Sequence, residues 1–165
     1  MYCSICYKPL TDPASMAVGM GPTCAARAKV KMKADSDDGM EFLPMQMNDE
    51  NGVILERTED GRIRTNVPWL VRDHSPTGFN WGYAGSGPAD LALNILEAVL
   101  RQTGYKGAKM TIQWNDDTCF RAAYAMHQKF KFEFIAGIPG GGGRIPMDRI
   151  RAWIDRNIPG QRDLF

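Results

Sequence analysis

The chain of 165 residues is 44% hydrophobic, enough for one good core and an appendage but short for two full domains. Lys and Arg number 20 against 19 Asp and Glu, a formal charge of +1 with no long basic run. That balance argues against a protein that wraps DNA, because non-specific affinity comes mostly from phosphate neutralisation. No apolar run approaches the roughly 20 residues of a membrane span, and the N-terminus lacks a signal-peptide core, so a cytoplasmic protein is expected.

Four cysteines in such a compartment are better explained by metal or free thiols than by disulfides. Cys3 and Cys6 form a C-x-x-C pair, a tight knuckle that lets two thiolates reach one zinc ion. Cys24 follows in Gly-Met-Gly-Pro-Thr-Cys, at the start of a helix expected over 25–32 whose positive end favours a thiolate. The pattern C-x-x-C-x-[KR]-P-L-x-x-P-x-S-x-x-x-G-x-G-P-x-C resembles a small zinc-binding module of phage and bacterial proteins. A closed zinc site takes four ligands. Cys119, His74 and His127 are the candidates for the fourth, and the expected set is Cys3, Cys6, Cys24 and Cys119. Two alternatives stand beside it. One is a set of unligated thiols, and the other is a water-bearing catalytic site, which would lack a Glu or His next to the cysteines as its base. Cys119, on what reads as an amphipathic helix, also fits the role of a small buried residue.

Residues 33–51 are rich in Asp, Met and Gly without sustained periodicity and read as a linker holding one short extended piece at Glu41 to Met45. Residues 52–158 read as the main domain. Val53 to Thr58 and Arg62 to Val67 flank Glu59-Asp60-Gly61, and Asp-Gly between two β-prone runs signals a hairpin. Trp69-Leu70-Val71 fits a short strand or turn. A turn from His74 to Gly78 then leads to an expected aromatic strand (Phe79, Trp81, Tyr83) and a glycine corner (Gly82, Gly85, Gly87). The strongest helix of the sequence follows, with Pro88 at its first position, Ser86 or Gly87 as cap, and Leu91, Ala92, Ile95, Leu96 and Val99 on one apolar stripe. Thr103-Gly104 ends it. A second helix is expected from a cap at Asn115, Asp116 or Asp117 to about Lys129, with Phe120, Ala123, Tyr124 and His127 on one face. Phe132, Phe134 and Ile135 read as a strand, Pro139 to Gly143 as a loose loop, and Ile145-Pro146-Met147 as the start of a last helix to about Asn157. The order β-β-β-α-α-β-α indicates an α+β fold, a small mainly antiparallel sheet with about three helices on one face, preceded by the short zinc-type module at 1–32.

The block HSPxGFxWGYxGSGPxxLAL, His74 to Leu93, resembles the signature of a small uncharacterised domain family common in bacteriophages and bacteria, with no established activity. The resemblance covers roughly Val53 to Ile158 and implies a fold and a phage-like setting rather than a reaction. The glycine corner invites a phosphate-cradle reading. Against it, Pro88 removes an early amide and no Lys-[Ser/Thr] pair follows as in a nucleotide P-loop, so tight packing of the corner is the expectation. His74, Trp81, Tyr83 and Ser86 remain the candidate ligand-binding residues for a nucleotide or host protein. Asp73-His74-Ser75 contains triad residue types, but adjacency in sequence does not assemble a triad in space. A catalytic role therefore rests only on the glycine corner and His74, and a non-enzymatic protein is expected.

Ile158-Pro159-Gly160 is expected to stop the last helix and leave 159–165 as a tail. Gln161-Arg162-Asp163-Leu164-Phe165 resembles the short peptide by which bacterial DNA polymerases and repair proteins attach to the β sliding clamp. The resemblance implies that Gln161 bonds at the pocket rim, Asp163 fixes the peptide backbone, and Leu164 and Phe165 fill the apolar floor. The combined expectation is a zinc-stabilised accessory protein that binds the clamp in a bacterial cell and modulates or exploits DNA replication. The readings set against it are an anti-defence or regulatory module binding a nucleotide or host protein at the signature face, and a small nucleic-acid enzyme.

Overall fold

The computed structural model describes residues 11–18, 22, 39–75 and 77–160. Cys3, Cys6, Cys24, the expected 25–32 helix and the tail motif 161–165 lie outside the described residues. The elements run α1 (Pro13–Val18), β1 (Met40–Phe42), β2 (Val53–Arg57), β3 (Ile63–Thr65), α2 (Ser86–Gln102), β4 (Lys109–Thr111), β5 (Thr118–Phe120), α3 (Arg121–Phe130), a π-helical turn (Lys131–Ile135), β6 (Gly142–Ile145) and α4 (Met147–Asn157). The fold is α+β, with a mainly antiparallel sheet in the order β1-β3-β2-β6 and a separate β4–β5 hairpin. No helix among the described residues is long and apolar enough to cross a membrane.

The Asp60-Gly61 turn forms as its residues dictate: Gly61 takes φ of +83°, which glycine adopts without a Cβ penalty, and β2 pairs antiparallel with β3, Leu55 facing Thr65. β1 adds in parallel on the far side of β3, from the piece expected at Glu41 to Met45 but starting one residue earlier. Beyond β3, the Asn66 side chain continues the ladder. Its Oδ1 accepts the Ile54 amide at 2.8 Å and its Nδ2 donates to Gly52 O at 2.8 Å. Successive strand residues point to opposite faces, yet Val53, Ile54 and Leu55 are all buried. Both faces of β2 are thus covered at its start, rather than the single face expected.

α2 is the centre of the core. Every residue from Gly87 to Leu100 is buried, so the expected apolar stripe extends right round the helix, the pattern of a helix enclosed by the rest of its domain. It begins two residues before Pro88. Gly85 is the N-cap and the proline sits in the first turn, where an amide has no intrahelical partner in any case. At the other end, Tyr105 N–H bonds Leu100 O and Gly104 N–H bonds Arg101 O, with Gly104 at φ +71°, a Schellman stop.

Four expectations are corrected. Phe79, Trp81 and Tyr83 form no strand; the segment is irregular, with Phe79 and Trp81 buried and Tyr83 about half exposed. Asn115 to Asp117 do not cap a helix. They form the tip of the β4–β5 hairpin, where Asp116 takes φ of +60°, and α3 starts only at Arg121. The same side chains that cap helices also build turns, so the residue types suit both. Lys131 to Ile135 is not a strand but a π-helical continuation of α3, stacking Phe134 on Phe130 at 4.6 Å. The glycine run is not a loose tip either: Gly142 to Ile145 is β6, antiparallel to β2. Gly142 is required there, because at φ +106° any Cβ would lie 2.0 Å from Leu55 O.

Asn94, buried in the middle of α2, accepts the amides of Leu70 (2.7 Å) and Val71 (2.9 Å) and donates to Val71 O (2.7 Å). Asn94→Ala strands three backbone groups, each costing about 1–3 kcal/mol when buried without a partner. Urea unfolding is expected to report a loss of about 3 kcal/mol or more, and a loss under about 1 kcal/mol would mean that the segment does not depend on this side chain.

Candidate functional site

Residues 70–75 lie against α2 without belonging to any helix or strand, so their backbone polar groups need partners from elsewhere. Side chains supply them. Asn94 takes Leu70 and Val71, and from the β4–β5 hairpin Asp117 Oδ2 accepts the Arg72 amide (3.0 Å) while Asn115 Nδ2 donates to Arg72 O (2.7 Å). Trp114 Nε1 donates to Asp73 O (3.2 Å). Asp90, one turn before Asn94, accepts His74 N–H at 2.8 Å and Ser75 N–H at 2.9 Å with its two carboxylate oxygens.

Held this way, His74 meets His127 from α3. The chain's two histidines stack with ring centroids 5.0 Å apart and their Nε2 atoms at 2.8 Å. Tautomers follow from the neighbours. His127 Nδ1 faces the Tyr124 carbonyl, which can only accept, so Nδ1 carries the hydrogen and Nε2 is left as an acceptor. Lys131 Nζ donates to Gln128 Oε1 (2.6 Å), which turns the amide nitrogen of Gln128 toward His127 Nε2 at 3.0 Å. The hydrogen on His74 Nε2 then lies between two acceptors, His127 Nε2 at 2.8 Å and the Asp73 carboxylate oxygen Oδ2 at 3.0 Å.

The environments drive the two rings apart in basicity. Contact with the Asp73 carboxylate raises His74 above its ordinary value against the opposing effect of burial. Burial lowers His127, with the charge of His74 acting in the same direction. Burial also works to raise Asp73, but the contact and charge of His74, with the Tyr124 hydroxyl, outweigh it and hold the carboxyl low. Burial pushes Asp90 up to about 6 despite the two amides it accepts. Two nitrogens bound to one zinc at 2.0–2.1 Å in a tetrahedron stand roughly 3.3 Å apart, whereas 2.8 Å is the spacing of nitrogens sharing a hydrogen. Among the described residues no group of three or more His, Cys, Asp or Glu side chains is placed to hold an ion.

The sequence's other candidates fall into different settings. Trp81 is buried, its Nε1 donating to Pro139 O (3.1 Å) and the Arg57 guanidinium lying 4.9 Å from its ring, a packing role. Tyr83 and Ser86 are exposed, and the Tyr83 ring lies over Gly85, where a Cβ would meet Tyr83 Cε2 at 2.1 Å. Gly87 is a packing glycine, with Asn80 Cβ 2.7 Å from where its own Cβ would stand. Cys119 lies on β5 rather than on a helix. It is fully enclosed in the core and its thiol is pushed up to about 12 by burial, with the Glu97 carboxylate adding to the shift. That setting supports packing over ligation; its proposed zinc partners Cys3, Cys6 and Cys24 lie outside the described residues, as do Gln161, Asp163, Leu164 and Phe165. Sequence reading missed the partners of His74, although a signal was there: Asp90, Asn94 and Glu97 recur at helical spacing inside an otherwise apolar helix.

Residues 46–115, which include the signature block, match the model of a family of unknown function (DUF6166), and residues 1–29 match that of a second family of unknown function (DUF6011). No curated protein and no solved structure matches the chain.

The Asp90 carboxyl provides a pH test. Its folded value of about 6 lies above the ordinary 3.8, so the ionised form costs the fold stability at neutral pH, and protonation relieves that cost as pH falls through 6 toward 4. Asp90→Asn removes the titration. The stability of wild type relative to Asp90→Asn is therefore expected to rise between pH 7.5 and 4.5, by on the order of 2 kcal/mol in denaturant titrations. A difference that stays flat or shrinks would contradict the burial argument.

Proposed function

We propose that this chain is a phage-like, zinc-stabilised, non-enzymatic accessory protein of the bacterial cytoplasm that docks on the β sliding clamp and modulates or exploits DNA replication. The observation that carries the reading is the sequence Gln161-Arg162-Asp163-Leu164-Phe165, with a polar register-setting residue and two apolar anchors at the spacing of clamp-binding peptides. Its position suits the role. Ile158, at the end of α4, is buried, while Pro159 and Gly160 are exposed, so the described chain reaches the surface at Gly160. The family matches name no activity.

A second reading, a regulatory or anti-defence module that takes a nucleotide or host protein at the signature face, is favoured by one observation. Tyr83 and Ser86 stand exposed at the entry to α2. Tyr83→Ala and Ser86→Ala separate this reading from the first, since neither touches the tail.

Zinc at Cys3, Cys6 and Cys24 completes the proposal. Elemental analysis is expected to find about one zinc per chain in the wild type and its loss in Cys6→Ser. Cys119→Ser should keep the metal, because that thiol is enclosed in the core. A metal-free wild type of normal stability would remove zinc from the proposal.

The clamp contact is tested on the tail itself. Burying a Leu and a Phe contributes roughly 1.5–3 kcal/mol each, less the ordering of the peptide, so the hydrogen bonds of Gln161 and Asp163 must add the rest of the roughly 8 kcal/mol that a micromolar dissociation constant requires. In calorimetry with purified bacterial clamp, Leu164→Ala combined with Phe165→Ala is expected to abolish binding while the melting temperature stays unchanged. Undiminished binding by the double variant, or none by the wild type at tens of micromolar, would sink the docking proposal.

A further inference from the structure

The His74–His127 pair is a cluster of titratable groups that the proposed function leaves unused, and its geometry limits what it can hold. Two nitrogens 2.8 Å apart accommodate one hydrogen between them; two would face each other inside van der Waals contact, each on a charged ring. His127 cannot accept the second proton elsewhere, because its Nδ1–H is already committed to Tyr124 O. Nor can it turn away in place: the residue is buried, with its Nε2 held by Gln128, which Lys131 orients. His74 is freer. It is about one-third exposed and sits on a segment with no helix or strand of its own.

We propose that the pair is a proton-operated latch: with one proton between the facing nitrogens it fastens the 72–75 segment to α3, and a second proton parts the rings and releases His74 outward. The charged and titratable groups around it set the direction. Asp73, on the same segment, holds the first proton on His74, and Lys131, from the π-helical turn, opposes a second positive charge. Tyr124 and Gln128 of α3 are hydrogen-bonded to the pair or to Asp73 and add no charge, while Asp117 of the hairpin is engaged by Arg72 and Asn115. Asp90 of α2 holds the His74 and Ser75 amides; its own protonation, near pH 6, falls in the same range and needs a separate control. His74 is raised and His127 lowered from their ordinary values, so as pH falls His74 charges first and His127 takes the second proton only afterwards.

The test is nuclear magnetic resonance on the full chain labelled with nitrogen-15, following the histidine ring nitrogens and backbone amide exchange from pH 8 to 5. The expected result is that His74 charges first, with His127 remaining the Nδ1–H tautomer. As His127 then charges, the His74 and Ser75 amides lose protection by on the order of tenfold after correction for intrinsic exchange. His74→Gln and His127→Gln should each make that protection independent of pH. The first replaces a partly exposed side chain and remains informative if the second does not fold. Two histidines titrating independently near 6.5, or amides that stay protected while both rings are charged, would overturn the latch. So would a release that persists in His74→Gln, since it would then belong to Asp90.

Discussion

A partly buried stretch of backbone that forms no helix or strand must find its hydrogen bonds in side chains, and the segment from Leu70 to Ser75 imposes that constraint on everything around it. Three of its partners, Asn94, Asp90 and Asp117, accept amides; Asn94, Asn115 and Trp114 donate to carbonyls. Because those side chains come from α2 and from the β4–β5 hairpin, the segment joins the two, and moving it costs the hydrogen bonds they supply. The same stripe of α2 continues to Glu97, which accepts the Phe120 amide at 2.8 Å and pairs with Arg101 at 2.8 Å, tying the helix to β5. An apolar helix of this length would pack, but it would specify neither the register of the segment nor the position of His74.

The parts of the fold governed by local chemistry were legible in the sequence. Asp60-Gly61 announced its hairpin, Thr103-Gly104 its helix stop, and the apolar recurrence from Leu91 to Val99 its helix, because each is decided by a few neighbouring residues. The misread parts are those where tertiary contacts choose between local options. Lys-Phe-Glu-Phe-Ile alternates as a strand would, yet Phe130, Phe134 and Trp153 stack on one another, with Phe134 edge-on to Trp153 at 6.5 Å, and that packing carries the helix onward through a π turn. Four consecutive glycines carry no β propensity, yet the last two pair with β2, and at Gly142 only glycine fits against the Leu55 carbonyl.

The site was half legible. His74 and His127 each stood out, but nothing in a linear reading joins residues 53 positions apart, and Asp90 was hidden by its position among alanines and leucines. The polar stripe at 90, 94 and 97 is the lesson that transfers. A polar residue recurring on one face of an otherwise apolar helix marks where another part of the chain docks its backbone, and the docked segment is where strained or functional chemistry should be sought.

The pairing of Val53 with Ile145 also bears on biosynthesis. A ribosome delivers β2 long before β6, so during that interval β2 has only β3 beside it and one row of backbone amides and carbonyls stays open, next to Val53, Ile54 and Leu55. Such an edge recruits strands from other chains until its own partner arrives, and distant pairings of this kind form slowly. Translation speed through the stretch encoding α2 and α3 thereby becomes a determinant of yield, and a nascent chain halted before Gly142 is a substrate for chaperones rather than a smaller version of the protein.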